Sequence, residues 1–134
     1  MPTSTLIRGS FEARVVPPPP HGDCTALLCT AGTVSGGIAG TYRFAAATMQ
    51  PSGAVATITF FTGRSDVTTD RGTIVGIDTG TIDMGADGGF ASLITFTGGT
   101  GAYEQATGQI RLRGRLDRKT STTAGDYEGT IETP

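Results

Sequence analysis

Glu12 and Arg14 are the first pair in this sequence whose types and spacing suggest chemistry. Two apart on a strand, they share a face and stand about 6–7 Å apart along the chain. Glu12 would serve as acid, base or electrostatic partner to a bound molecule, or the pair would grip a carboxylate or carbonyl. Against this, the opposite face of the same strand (Ile7, Phe11, Ala13, Val15) is the more apolar, so simple burial turns Glu12 and Arg14 outward. Tyr42 and Phe44 share a face of a later strand and form a candidate aromatic pair for a lumen, with core packing the plainer account of Phe44. Phe60 and Phe61 are consecutive and fall on opposite faces, so at most one lines a pocket. We assign that place to Phe60. Asp78 lies between Ile77 and Thr79 in a Thr/Gly/Ile strand. A buried carboxylate needs partners, so Asp78 is either solvent-facing or a second acid in the lumen, with Thr79 beside it as a further substrate-binding candidate.

Other constellations are missing. The single histidine, His21, sits in a Pro-rich stretch and supports neither a Ser-His-Asp triad nor a His-based metal site. Cys24 and Cys29 without a histidine partner make no zinc site. Asp83 and Asp87 lack the ligand count of a calcium loop, and no dinucleotide fingerprint is present. We therefore expect no cofactor. Any catalysis falls to carboxylate, guanidinium, phenol or backbone groups. Arg111, Arg113 and Arg115 alternate on one strand without interleaved aromatics, which argues against nucleic acid; pairing with Asp126 and Glu128 on a wet face explains them better.

The elements that must position these residues read as strands. Only 16% of residues are charged, and glycine supplies 21 of 134; Thr, Val, Ile and Gly occur in short runs rather than in the Ala/Leu/Glu/Lys mixture of long helices. The spacing predicts strands at 5–16, 27–34, 41–49, 54–62, 73–83, 90–97, 109–116 and 127–132. Turns fall at SGGIAG, QPSG, TTDRG, GADGG and TSTTAGD. Pro17 to Pro20 ends the first strand in a stiff extended connection. Eight strands in near-uniform succession predict one domain, residues 1–134, folded as an all-β, antiparallel up-and-down barrel, since closure removes exposed edges. Eight strands leave room for side chains or one small ligand.

The one non-uniform connection, Phe96 to Gly114 (FTGGTGAYEQATGQIRLRG), has glycines at 98, 99, 101 and 108 where a reversing chain needs them. Ala102 to Ala106 would form one helical turn that plugs the barrel end with Tyr103. A phosphate cradle is disfavoured, because no Gly-Lys-Ser/Thr and no long helix follows. The stretch LITFTGGTGAYEQATGQIRLRG resembles the allene oxide cyclase barrel family, with dirigent proteins as more distant relatives; Gln105 replaces the second motif glycine. The resemblance implies a calycin-like barrel, a cofactor-free cyclase or isomerase acting on a small, largely apolar specialised metabolite, and a homo-oligomer (trimer or dimer) whose outer face is apolar because subunits pack there. It also implies a lumen-facing role for Glu12, since FEAR is similar to the family's first-strand motif. Arg14 stands where the family has asparagine, and Tyr42 lies near the place of the family's pocket cysteine. A non-catalytic small-ligand binder or scaffold is the alternative.

A net charge of −2 and a pI of about 5.2 provide no general attraction to nucleic acid or anionic membrane. MPTSTLIRGSFEARV has no apolar core of a signal peptide, which reads as cytoplasmic. Cys24 and Cys29 are then free thiols. Joined in a disulfide, they would suit a secreted protein instead.

Overall fold

In the computed structural model, residues 2–85 and 87–134 are described, and they form a closed barrel of eight antiparallel strands in sequence order. The strands are β1 (Thr3–Val15), β2 (Cys29–Gly36), β3 (Gly40–Pro51), β4 (Ile58–Thr69), β5 (Gly72–Asp83), β6 (Gly89–Gly99), β7 (Thr107–Asp117) and β8 (Thr122–Thr133). β1 closes the ring by pairing with β8 from Thr3↔Thr133 to Arg14↔Thr122. Bulges interrupt the ladders between Ala46 and Thr48 and between Val75 and Gly76.

Several strands run beyond their sequence signal. β4 continues through Arg64, Ser65 and Asp66 to Thr69, because Gly63, Ser65 and Val67 keep the inward alternation while polar residues take the outside. β8 begins at Thr122, within the expected TSTTAGD turn. Conversely, residues 54–57 belong to the β3–β4 turn, where Ser52 Oγ accepts from Val55 N–H and donates to Val55 O. Ala86 of the GADGG turn lies outside the described residues.

One end of the barrel is sealed. Ile7, Ile38, Ile74, Phe96, Ala106 and Ile131 belong to a buried core cluster there, with Tyr103 packed against it. The glycine-rich stretch forms a single 3-10 turn, Gly101–Tyr103, and Gly101 takes φ +60, where a side chain is strained. Tyr127 ties the β2–β3 connection onto this plug. Its hydroxyl accepts from Ile38 N–H (2.9 Å) and donates to Ser35 O (2.8 Å), so the buried phenol is satisfied.

The 16–28 connection, the longest in the chain, runs at the opposite end. Cys24 and Cys29 are joined in a disulfide, with Cα atoms 5.7 Å apart. This is the second of the two readings of the cysteines, and it rules out the free thiols. Asp23 accepts from Arg43 at 2.6 Å, and Ala46 N–H donates to Leu28 O at 2.8 Å, fixing the segment to β3.

Candidate functional site

Period-two alternation decides what reaches the lumen. On β1, Phe11 (6% exposed) and Ala13 (8%) point inward, so Glu12 and Arg14 point outward and are exposed. Their expected place at the catalytic centre is thereby corrected: the apolar face of β1 is the buried one, as burial alone dictates. Phe60 is likewise corrected, being 51% exposed on the outer face, while Phe61 lines the cavity. Thr79 is exposed on the outside of β5, one residue out of phase with Asp78. Tyr42, Phe44 and Asp78 do line the cavity. Arg111 and Arg115 face outward, 3.8 Å from Glu128 and 3.7 Å from Asp87.

The cavity has a volume of about 110 Å³, and Asp78 is the acid in its wall. Along β5 its inward neighbours are Gly76 and Gly80; across the ladders it faces Gly63 of β4 and Ile94 of β6. Those glycines leave room that aromatic rings take up. A Cβ on Gly63 would lie 2.5 Å from the Phe44 ring, and one on Gly80 would lie 2.8 Å from that of Phe61. Phe44 and Phe61 meet edge to face at 5.7 Å between centroids. Phe11 packs against Tyr42 at 6.2 Å and Phe90 at 6.1 Å. One carboxyl thus shares the described lining with seven aromatic rings, Phe96 and Tyr127 being the other two.

Asp78 is 4% exposed, and burial pushes its pKa up to about 7, with the Ser65 and Ser92 hydroxyls beside it partly offsetting that rise. Among the described residues, its Oδ1 has no hydrogen-bond partner. An orphaned carboxylate oxygen inside an apolar wall is costly unless something fills it or a proton neutralises it. Burial also raises Tyr42 to about 12, against the Thr30 and Thr123 hydroxyls, with the Asp78 charge adding to the rise. Tyr42 therefore stays protonated at neutral pH and faces the lumen as a donor.

Members of the site that were not among the candidates read from sequence include Phe11, Phe61, Phe90, Ser65, Ser92, Thr30 and Thr123. Phe11 was legible, since it lies on the apolar face of β1. Ser65 and Ser92 carry no signal apart from their phase with Asp78, which depends on inter-strand register. Among the described residues, no group of three or more His, Cys, Asp or Glu is placed to hold a metal ion.

No protein-family model and no curated protein matches the chain. Among solved structures it is similar to a pterocarpan synthase dirigent protein, at 12% identity over 99% of this chain and 86% of that one, with a TM-score of 0.41. At that distance the likeness bears on no residue of the site, and the barrel assignment stands on the strand pairing itself.

Proposed function

We propose that this barrel is a cofactor-independent cyclase or isomerase that folds a small, largely apolar specialised metabolite in its lumen, with Asp78 as the acid–base group. The observation that carries this reading is the buried Asp78 carboxyl with an unpartnered oxygen in an aromatic-walled cavity. A group titrating near neutrality is suited to give a proton at one substrate atom and take one back at another. Such a cycle leaves the substrate's composition unchanged. The rings of Phe44, Phe61 and Phe11 would restrict the conformers of a flexible substrate, and orientation of that kind contributes several kcal/mol to barrier reduction. Tyr42 would hold an oxygen of the substrate. The Cys24–Cys29 disulfide supports work in an oxidising compartment, against the cytoplasmic expectation.

A binding barrel without turnover is the second reading, favoured by a cavity of about 110 Å³, small beside the roughly 300–1,000 Å³ of common ligand sites. The test is a panel of small neutral unsaturated alcohols and enones, scored for binding and, by chiral chromatography, for isomeric products. We expect Asp78→Asn to lower turnover by about 100-fold or more while Glu12→Gln leaves it unchanged. Turnover by Asp78→Asn within twofold of the parent would remove Asp78 from the chemistry. Binding without product would establish the carrier.

A further inference from the structure

We propose that the Asp78 pocket is also a receptor for a small organic ammonium ion, a protonated amine on a hydrocarbon body of five or six carbons, which competes there with a neutral substrate. This rests on the lumen being open to small molecules, as in the function proposed above, but asks for a ligand of different charge.

Three observations converge on it. First, Oδ1 of Asp78, a residue only 4% exposed, accepts no hydrogen bond among the described residues. An acceptor left open in an apolar wall is matched by a ligand N–H donor. Second, no Lys, Arg or His is among the described residues lining the cavity, so among these an ionised Asp78 has no counter-ion. The Ser65 and Ser92 hydroxyls nonetheless favour its charged form. Third, Phe44 and Phe61 rest against the glycines beside Asp78, and Phe11, Tyr42 and Phe90 line the same space. Aromatic rings attract a desolvated cation. A carboxylate ligand, by contrast, would meet Asp78 with no cation to receive it. Size is limiting: a dry cavity of about 150 Å³ is known to hold benzene, and this one, at about 110 Å³, restricts the ligand to a compact body.

The pH dependence follows from the groups that face Asp78. β4 offers Gly63 and Ser65, and β6 offers Ser92 and Ile94. Tyr42 is the titratable side chain felt there, and it stays protonated. Capture of a cation therefore strengthens as Asp78 loses its proton, while the amine, with a pKa like that of lysine at about 10.4, remains charged.

The experiment is isothermal titration of the intact protein with cyclopentylammonium, cyclopentanol and methylcyclopentane at pH 6 and pH 8. We expect the ammonium ion to bind at least tenfold more tightly than either neutral probe at pH 8, to lose most of that margin at pH 6, and to be displaced by cyclopentanol. Asp78→Asn should abolish the margin and keep the neutral affinities; if that variant fails to fold, the comparison of pH 6 with pH 8 on the native chain decides. Neutral probes binding as well as the cation at pH 8 overturn the ammonium site and leave the lumen reading standing. A margin that is unmoved by pH, or that survives in Asp78→Asn, places the cation elsewhere and also overturns it. No binding by any probe at millimolar concentration overturns both.

Discussion

Because burial lifts Asp78 from 3.8 to about 7, the folded protein keeps a proton through that interval which the unfolded chain releases. The unfolded state binds fewer protons there, so stability falls as pH rises from about 4 to about 7. At roughly 1.4 kcal/mol per pKa unit, the loss approaches 4 kcal/mol as an upper bound. Asp78→Asn should therefore match the parent's thermal midpoint near pH 3 and exceed it at pH 8; parallel pH profiles for the two proteins would refute the buried titration. The residue scale is also where sequence reading was weakest. Glu12 and Arg14 drew attention as an acid beside a base, although the apolar run Ile7, Phe11, Ala13, Val15 already turned them outward. Asp78 appeared as one of two open readings. Its resolution needed the phase of β5 relative to β4 and β6, which comes from pairing rather than from the run of residues itself.

The elements were more legible than their ends. Alternation located every strand, and the glycine-rich stretch located the one turn that plugs the barrel. The boundaries of β4 and β8 escaped because their inward positions are Gly63, Ser65, Thr123 and Gly125, which do not look apolar although they face the lumen. The plug also shows what the departure at Gln105 costs. Tyr103 O accepts from Ala106 N–H at 3.0 Å, Glu104 has φ −59 and ψ 129, and Gln105 has φ +60. This is a type II turn, whose third position favours glycine. Gln105→Gly should stabilise the protein by up to about 1 kcal/mol, the left-handed cost removed being partly offset by added chain entropy. Gln105→Val should destabilise it. Denaturant midpoints in the order Gly, Gln, Val check this, and any other order rejects the strain at Gln105.

For the whole molecule, the outer faces of β4, β5 and β6 carry Phe60, Ile77 and Leu93, exposed by 51%, 45% and 38%, among threonines, with Arg64 opposite Ile77 and Arg111 opposite Leu93 in the ladders. We expect this face to pack against a second copy, making sedimentation report two or three times 13.7 kDa, with Ile77→Glu shifting the protein toward monomer. A single-chain mass at micromolar concentration excludes it. The barrel as a class was readable because eight short strands with tight turns have few ways to hide their edges; the contents of its lumen were not, since each inward position is set by register. Closure through β1 and β8 carries a kinetic consequence. Of the eight barrel strands, the one synthesised first has as its partner the one synthesised last, so the ladder that completes the ring joins residues at the greatest separation the barrel contains. Folding of this kind is dominated by non-local contacts and proceeds slowly. Until β8 emerges, β1 and β7 are open edges able to pair with a neighbouring chain. The wall around Asp78 is thus completed only after synthesis of the last strand, and the nascent protein must remain unaggregated until then.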